Sequence, residues 1–504
     1  MAFEILTPDE MAKADRLTIE SGLVDGIGLM RRAGQAVAAV ILERFPEAAG
    51  VAVLAGPGNN GGDGYVIGDE LRRAGVDVSL WRAEPPRAGT DAAIAAAECT
   101  IKLRSLADFM PQAGWLVVDA LFGAGLARAL DGVYAETIAK LDTAGSRGVA
   151  VDLPSGVSGL SGEVLGSAPR AEVTVTFFRK KPGHLLQPGR AYCGEIVVAD
   201  IGIRADVLES IGSTLLENNP RNWLHLLPSP ALDTHKYARG HVGVFSGGPS
   251  ATGAARLSAL AAARAGAGAV TLLSPANALA VNAAHLTSII LKKTESMDDV
   301  VEFMGARKPG ALVFGPGLGT HTKVGRFALD LIAAAAGLVG AIVLDADGLT
   351  VLAANRDEFF TQARATNAPA LVLTPHEGEF RRLFPDLAAK ADLSKLDRAR
   401  QAARMANATV IYKGPDTVIA APDGRAVINS NGTPLLATAG SGDVLSGICA
   451  GLLAQRMPPF EAACAAVWMH AEAASGFGPG LIAEDLPLAL LPVIRDLAGG
   501  GEEA

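Results

Sequence analysis

Short apolar runs that end in loops of glycine and acidic residues recur along this chain. Examples are VAVLAGPGNNGGD at 51–63, WLVVDALFGAG at 115–125, GVAVDLPSG at 148–156, ALVFGPGLG at 311–319 and AIVLDADGL at 341–349. Tight turns that follow buried strands are typical of α/β proteins with parallel sheets. Because the carboxyl ends of parallel strands face one way, ligands bind in the crevice above them. We therefore expect an α/β fold whose binding residues lie in these loops.

The length and composition indicate more than one domain. The chain has 504 residues, of which 49% are hydrophobic, so it has enough apolar material for two or three cores. The strand pattern ends after Ile203, and the segment LENNPRNWLHLLPSP has the turn-forming residues of a linker. We expect a first domain at 1–215, a linker at 216–230 and a second domain at 231–504.

Charge and cysteine usage argue against several classes of protein. The formal charge of −9, with no basic run, disfavours a nucleic-acid partner. The longest uncharged apolar run, 331–344, is too short to cross a bilayer, so no membrane partner is expected. The four cysteines form no CxxC pair and are too sparse for a disulfide scaffold, which favours the reducing cytoplasm.

The loop at 56–65 matches the dinucleotide fingerprint G-x-G-x-x-G between a strand and a helix. Beyond the glycines, Asn59, Asn60 and Asp63 supply more polar side chains than a phosphate cradle needs. We therefore expect this loop to bind more than phosphate. The alternative is an ordinary turn, since Asn-Gly and Asp-Gly pairs serve many turns.

Two more strand ends carry acids and a hydroxyl. Asp119 ends one strand, and Asp152, Pro154 and Ser155 follow another. In one parallel sheet these residues would face the same crevice as the first loop. The alternative for Asp119 is an ordinary acid at a strand end.

At these three loops the first half, between Thr7 and Asp206, resembles the NAD(P)H-hydrate epimerases. The resemblance implies a Rossmann-like fold that interconverts the R and S forms of the hydrated nicotinamide cofactor. It implies substrate contacts from Asn59, Asn60, Gly61, Gly62, Asp63, Gly123, Ala124, Gly125, Leu126, Ala127, Arg128, Ala129 and Asp152. Asp152 would work at the reacting nicotinamide ring. Asn60, Asp119 and Ser155 would bind a potassium ion, and their oxygen donors do suit a hard cation.

The loop RKKPGHLLQPGR carries the positive cluster of the first half. Its members are Lys180, Lys181 and Arg190. We expect a solvated loop here, with phosphate contact as the alternative.

The segment ATAGSGDVLSG at 437–447 puts small residues in front of an apolar helical pattern. Gly440, Ser441 and Gly442 leave backbone N–H groups open at a helix N-terminus, which favours an anion such as phosphate. Asp443 would repel a phosphate that only had to bind. It therefore suggests a base that takes a proton from a hydroxyl approaching a phosphoryl group. The alternative is that Asp443 is a helix N-cap.

Together with TPHEGEF at 374–380 and YKGPDTVIA at 412–420, this loop resembles the phosphoryl-transfer end of a ribokinase-like α/β fold. In detail the second half, between Thr234 and Leu497, resembles the ADP-dependent NAD(P)H-hydrate dehydratases. The resemblance implies substrate contacts from Ala254, Gly317, His376 and Asp443. It implies nucleotide contacts from Lys413, Gly414, Pro415, Asp416, Thr417 and Gly442. The chain departs from the family at Ser441, where threonine is common, but the hydroxyl is kept.

Three of these residues also have plainer interpretations. Ala254 taken alone would belong to a core, and Gly317 to a turn. His376 and Glu379 could be a metal pair, although no further His or Cys stands at ligand spacing, or the capped start of a helix.

The two resemblances imply a bifunctional enzyme that repairs hydrated NADH and NADPH, called NADHX and NADPHX. The first half would interconvert their R and S forms. The second would transfer a phosphoryl group from ADP to the added hydroxyl of the S form, giving AMP, because phosphate then leaves more readily than hydroxide. Mg²⁺ to neutralise the phosphates, K⁺ in the first half and a homo-oligomer are expected. Two alternatives remain: a kinase for a vitamin alcohol, and an active dehydratase whose first half binds a nucleotide without catalysis.

Overall fold

The computed structural model describes residues 3–499. The chain divides into two compact units, Met1–Leu215 and Leu216–Ala504. Each unit is built around a sheet of its own. Within residues 3–499, no helix is long and apolar enough to cross a membrane.

The first unit is built on a seven-stranded sheet. Its strands are β1 Gly50–Ala55, β2 Val78–Arg82, β3 Leu103–Ser105, β4 Trp115–Ala120, β5 Gly148–Val151, β6 Val173–Phe177 and β7 Glu195–Ala199. The order across the sheet is β3-β2-β1-β4-β5-β6-β7, and every pairing is parallel. The order reverses between β1 and β4, and ligands of such sheets bind above this switch point. The prediction of a Rossmann-like parallel sheet is confirmed.

Helices pack with the strands of this sheet in three apolar clusters. The helices are α1 Pro8–Glu20, α2 Gly26–Arg44, α3 Asn59–Arg73, α4 Asp91–Glu98, α5 Gly132–Ala144, α6 Arg190–Cys193 and α7 Val207–Ile211. Helix α1 begins at a capping box that Thr7 and Glu10 form. Helix α3 begins inside the predicted loop. A Cβ on Gly61 would lie 1.8 Å from the carbonyl oxygen of Gly56, so only glycine lets α3 start this close to β1.

The second unit is built on a ten-stranded sheet. Its strands are β8 Leu215–Glu217, β9 His241–Phe245, β10 Ala269–Ser274, β11 Ile290–Lys293, β12 Ala311–Phe314, β13 Ala341–Leu344, β14 Ala370–Leu373, β15 Thr409–Tyr412, β16 Val418–Ala420 and β17 Ala426–Ile428. The order is β11-β10-β9-β12-β13-β14-β15-β16-β17-β8. Pairings from β11 to β15 are parallel, whereas β16 is antiparallel to both β15 and β17. This mixed sheet agrees with the predicted ribokinase-like α/β domain.

The helices of the second unit position the residues at the ends of these strands. They are α8 Gly253–Arg264, α9 Leu279–Ala283, α10 Met297–Arg307, α11 Thr322–Ala334, α12 Asp347–Leu352, α13 Arg356–Gln362, α14 Glu377–Leu383, α15 Pro385–Ala388, α16 Lys395–Ala406, α17 Ser441–Ala454, α18 Pro459–Phe477 and α19 Leu486–Gly499. Helix α17 is buried along most of its length. The Ser258 hydroxyl of α8 donates to the carbonyl oxygen of Asp443 at 2.8 Å, which fixes the first turn of α17.

Residues 216–230, predicted as a linker, are packed into the second unit. Trp223 is only 1% exposed and meets Trp468 edge-on, with 5.9 Å between ring centroids. Its indole N–H donates to Asn218, whose amide donates in turn to Asn429. The turn-forming residues suggested a linker, but the buried indole makes this segment part of the second core.

We predict that Trp223→Ala lowers the free energy of unfolding by about 3–5 kcal/mol, because it leaves a cavity and an unpaired Asn218. Urea unfolding followed by circular dichroism measures the change. Leu232→Ala is the control, since Leu232 is fully exposed and its truncation should cost less than about 0.5 kcal/mol. Equal stability of the two variants would contradict the packing described here.

Candidate functional site

The loops after β1, β4 and β5 open onto a cavity of about 660 Å³ in the first unit. The predicted substrate residues that line it are Asn59, Asn60, Asp63, Gly123, Ala124, Gly125, Leu126, Ala127, Arg128 and Asp152. Gly61, Gly62 and Ala129 do not line it. Gly62 instead faces Met30, since a Cβ on Gly62 would lie 2.5 Å from that side chain. The three predicted loops therefore meet at one cavity, with helices α1 and α2 forming much of the remaining wall.

Asn60 and Asp152 approach the same glycine. A Cβ on Gly123 would lie 3.0 Å from Asn60 Oδ1 and 2.9 Å from Asp152 Oδ2. The side-chain nitrogen of Asn60 is buried without a hydrogen-bond partner. A buried unpaired donor costs free energy, so this nitrogen is a group that a bound ligand would satisfy.

Asp119 and Ser155 are almost fully buried and lie outside the cavity wall. The Ser155 hydroxyl donates to Asp119 at 2.6 Å, and the Ser155 backbone N–H donates to the other carboxylate oxygen at 2.7 Å. Burial raises the pKa of Asp119. Among residues 3–499, only neutral groups donate to its carboxylate. A cation bound beside these oxygens would offset the cost of burying the charge.

Asp152 follows β5 in a left-handed conformation, with φ of 65°. Lys181 Nζ donates to its Oδ1 at 2.7 Å, the Thr176 hydroxyl to the same oxygen at 2.9 Å, and the Ala124 N–H to Oδ2 at 2.9 Å. Burial alone would raise the pKa of Asp152, but the charge of Lys181 helps to lower it to about 2. Asp152 is therefore ionised at neutral pH, and both its oxygens accept hydrogen bonds.

The prediction of a solvated basic loop is wrong for Lys181, which is 1% exposed and paired with Asp152. Its backbone N–H donates to His184 Nδ1 at 2.8 Å, so the proton of the imidazole is on Nε2, which donates to the Asp152 carbonyl oxygen at 2.7 Å. Burial and the charge of Lys181 lower the pKa of His184 to about 4, which keeps the ring neutral. Local charge could not reveal this pair, because its members stand 29 positions apart.

Three further carboxyl groups, Asp15, Asp63 and Asp91, line the same cavity, and the sequence prediction contains neither Asp15 nor Asp91. Burial raises the pKa of Asp15 to about 6, opposed by Lys181 and reinforced by Asp152. Burial, with the charges of Asp152 and Asp15, raises the pKa of Asp63 well above its usual value. Helical spacing could have identified Asp15 from the sequence. Asp15 lies four positions after the buried Met11, on the face of α1 that turns inward.

In the second unit, Asp345 follows β13 and is 1% exposed. It accepts hydrogen bonds from Lys413 Nζ at 3.0 Å and from the Ser446 hydroxyl at 2.6 Å. Burial would raise the pKa of Asp345, but the Lys413 charge and the hydroxyl donors lower it. The sequence marks Asp345 as an acid at a strand end and gives it no role, because its partner Lys413 is 68 positions away.

Asp443 lies in the first turn of α17, and the N-cap is Gly440, with φ of 88°. The alternative interpretation of Asp443 as the N-cap is therefore wrong. Burial and the charge of Asp345 raise the pKa of Asp443 to about 7, against the opposing charge of Lys413. A carboxyl group with this pKa can accept a proton at neutral pH. A Cβ on Gly442 would lie 3.4 Å from Lys413 Nζ, so the lysine and the helix N-terminus attract an anion to the same place.

His376 is the N-cap of α14. Its Nδ1 accepts from the Gly378 N–H at 2.9 Å, and its own backbone N–H donates to Glu379 at 2.9 Å. The capped helix start is thus present in the structure. The His376 side chain remains 56% exposed, so the imidazole is also open to a ligand. Among residues 3–499, no group of three His, Cys, Asp or Glu could hold a metal ion.

The predicted nucleotide loop from Lys413 to Thr417 is held by its own side chains. The Thr417 hydroxyl donates to the Gly414 carbonyl at 2.9 Å and accepts from the Gly414 N–H at 3.2 Å. Asp416 pairs with Lys395 at 2.5 Å and is buried. Pro415 lies inside the same turn. These contacts fix the shape of the loop and leave Lys413 directed at Asp345.

Ala254 and Gly317 are neighbours, because a Cβ on Gly317 would lie 3.6 Å from the Cβ of Ala254. Gly317 has φ of 70°, a conformation that a glycine turn permits. Ala254 is in the first turn of α8, the helix whose Ser258 holds the start of α17. The structure thus links these two predicted residues to the Asp443 region through α8.

Comparison with known proteins gives matches to both units. The NAD(P)H-hydrate dehydratase family model matches residues 242–487, and the model for the YjeF-related protein N-terminus matches residues 26–183. The chain is 32% identical to the bifunctional NAD(P)H-hydrate repair enzyme Nnr of Coxiella burnetii, over 95% of this chain and 96% of the relative. It is 36% identical to the enzyme of that name from Gloeobacter violaceus, over 92% and 93% of the two chains. The ADP/ATP-dependent NAD(P)H-hydrate dehydratase structure from Bacillus subtilis aligns with a TM-score of 0.48 at 23% identity, covering 56% of this chain and 98% of that one.

Proposed function

The chain belongs to the family of bifunctional NAD(P)H-hydrate repair enzymes, and from that membership we propose which residues carry its two reactions. The first unit interconverts R- and S-NAD(P)HX, and the second dehydrates S-NAD(P)HX at the expense of ADP. The observation that carries the assignment is the position of Asp443 in the first turn of α17, next to Gly442, which Lys413 approaches. The pKa of Asp443, raised by burial to about 7, suits a base at such a helix N-terminus.

For dehydration, we propose that Asp443 takes the proton of the added hydroxyl as its oxygen attacks the terminal phosphorus of ADP. AMP leaves, and the phosphate ester then loses phosphate from its carbon and a proton from the neighbouring ring carbon, which restores the ring double bond. Lys413 and the backbone around Gly442 hold the phosphates, while the turn from Gly414 to Thr417, with Pro415 and Asp416, shapes the nucleotide site. Ala254, Gly317 and His376 are proposed to contact the nicotinamide substrate.

Mg²⁺ fits this site only as a partner of the nucleotide. The described residues offer no three-ligand cluster, and Mg²⁺ usually binds through one or two carboxylates plus phosphate oxygens. Glu379, whose charge acts on Lys413, is the carboxylate we propose for it. When bound, the ion would neutralise charge on the phosphates.

For epimerisation, we propose that NAD(P)HX occupies the cavity lined by Asn59, Asn60, Asp63, the loop from Gly123 to Arg128, and Asp152. Ionised Asp152 fixes that loop through the Ala124 N–H and lies at the reacting ring. A vitamin-alcohol kinase would leave this cavity without a purpose.

We propose that Asn60, Asp119 and Ser155 bind K⁺ beside this cavity. The support is a buried carboxylate with neutral partners and a donor set made of oxygens, which a hard cation prefers. We also propose the reducing cytoplasm as the compartment, since the four cysteines are free. A homo-oligomer remains a prediction.

Asp443→Asn should slow dehydration by about 10²–10⁴-fold, because the amide keeps the shape but cannot take the proton. Wild-type activity should fall as the pH drops through about 7, where Asp443 becomes protonated. The assay is ADP-dependent NADH formation from purified S-NADHX, with ADP affinity measured by calorimetry and expected to change little. Asp298→Asn, at the exposed start of α10, is the matched control. If Asp443→Asn dehydrated S-NADHX at the wild-type rate, Asp443 would not be the base.

Asp152→Asn should reduce R-to-S exchange by roughly 10²-fold, since it removes a preorganised charge and releases the loop. Dehydration of purified S-NADHX should be unchanged, because that reaction belongs to the second unit. The variant leaves Lys181 buried without its partner, so the double variant Asp152→Asn/Lys181→Met serves as a folding control. If Asp152→Asn lost dehydration and kept exchange, the division of labour would be reversed.

Replacing potassium chloride by choline chloride at equal ionic strength should slow epimerisation and lower the melting temperature of the first unit, because the buried Asp119 charge loses its cation. Asp119→Asn should remove both responses. Identical rates and melting temperatures in the two salts for the wild type would contradict the K⁺ site.

A further inference from the structure

With Asp91, Asp15 is one of two carboxyl groups of the first cavity that the assigned site does not use. It projects from α1 into the cavity wall, beside Pro8, Met11, Ala12 and Ile19 of the same helix. Among residues 3–499, no hydrogen-bond donor contacts its carboxylate, and the same holds for Asp63. Both groups are therefore free to exchange protons with a molecule in the cavity.

The carboxylate of Asp152, in contrast, already accepts several hydrogen bonds. Lys181, Thr176 and the Ala124 N–H already occupy its two oxygens. A carboxylate held in this way is a poor proton acceptor, because protonation would break an ion pair with a buried lysine. The reaction still needs a group that takes a proton, and Asp15 lies in the same cavity without these contacts.

We propose that Asp15 is a catalytic residue of the epimerase site, acting as the base that takes a proton from the incoming water, with Asp63 as the acid that protonates the leaving hydroxyl. This inference rests on the proposed epimerase function of the first unit and adds its proton-transfer groups.

The proposed reaction takes place at the hydroxyl-bearing carbon next to the ring nitrogen. The C–O bond breaks as the proton of Asp63 passes to the leaving oxygen, and the nitrogen lone pair forms a C=N bond. Water then attacks the same carbon from the other face, the C=N electrons return to nitrogen, and the Asp15 carboxylate takes the extra proton. Asp15, which is partly exposed, then returns its proton through solvent to Asp63.

The charges around the cavity support these opposite roles. Lys181 and Asp152 act electrostatically on Asp15, and Asp152 and Asp15 act on Asp63. Asp91 of α4 and Arg128 are the other charged residues of the lining. The pKa of Asp15, about 6, leaves it ionised at neutral pH, whereas the pKa of Asp63 is raised well above its usual value, which keeps its proton in place. Two carboxyl groups whose pKa values are pushed apart can serve as base and acid.

The test measures R-to-S exchange against pH in the full-length enzyme. Asp15→Asn should lower kcat by about 10²-fold, leave KM within a few fold and abolish the loss of rate below about pH 6. Asp15→Glu should restore part of the exchange rate and should again lose rate at acidic pH. Asp9→Asn, on the exposed side of the same helix, is the matched control and should behave as wild type.

The melting temperature of each variant reports whether the first unit is folded, and dehydration of S-NADHX by the same samples reports whether the second unit is. If the wild type shows no exchange, the proposed epimerase function fails. If the wild type is active and Asp15→Asn keeps both its rate and its loss of rate at acidic pH, the assignment of Asp15 is overturned. It is equally overturned if folded Asp15→Glu restores neither the rate nor its loss at acidic pH.

Discussion

In each unit, a lysine and an aspartate at the carboxyl end of the strands form an ion pair in which one member is buried. Asp152 and Lys181 form it in the first unit, and Asp345 and Lys413 form it in the second. Removing the partner of the buried member costs about 3–5 kcal/mol, because the buried charge is left unpaired. The parallel sheets make these pairs possible, since they bring residues distant in sequence to the same edge.

The pairs also set the protonation of their neighbours. Each lysine keeps its aspartate ionised. Burial, reinforced by the negative charge of that aspartate, raises the pKa of the next carboxyl group, Asp63 in the first unit and Asp443 in the second. One carboxylate is thereby fixed as a charge while another can hold or exchange a proton. The same physical arrangement thus recurs on two different sheets.

Much of this could be predicted from sequence, because strand ends, glycine turns and helix caps are local patterns. The loops around Asn60, Asp152 and Asp443 were found in this way. The ion pairs were not, since each joins residues many positions apart and only the fold brings them together. For this reason the sequence predicted that Lys181 lies in a solvated loop. His376 shows a second limit of sequence-based prediction. Its residue type and its spacing from Glu379 fit a helix cap and a ligand contact equally well.

The burial of Trp223 determines where the chain could be divided into two separate proteins. A gene break placed after residue 230 would remove the indole that covers Trp468 and the amide network around Asn429. A break before Leu216 would keep that layer with the second unit. A free-standing second half of this chain therefore needs its short leading segment, residues 216–230.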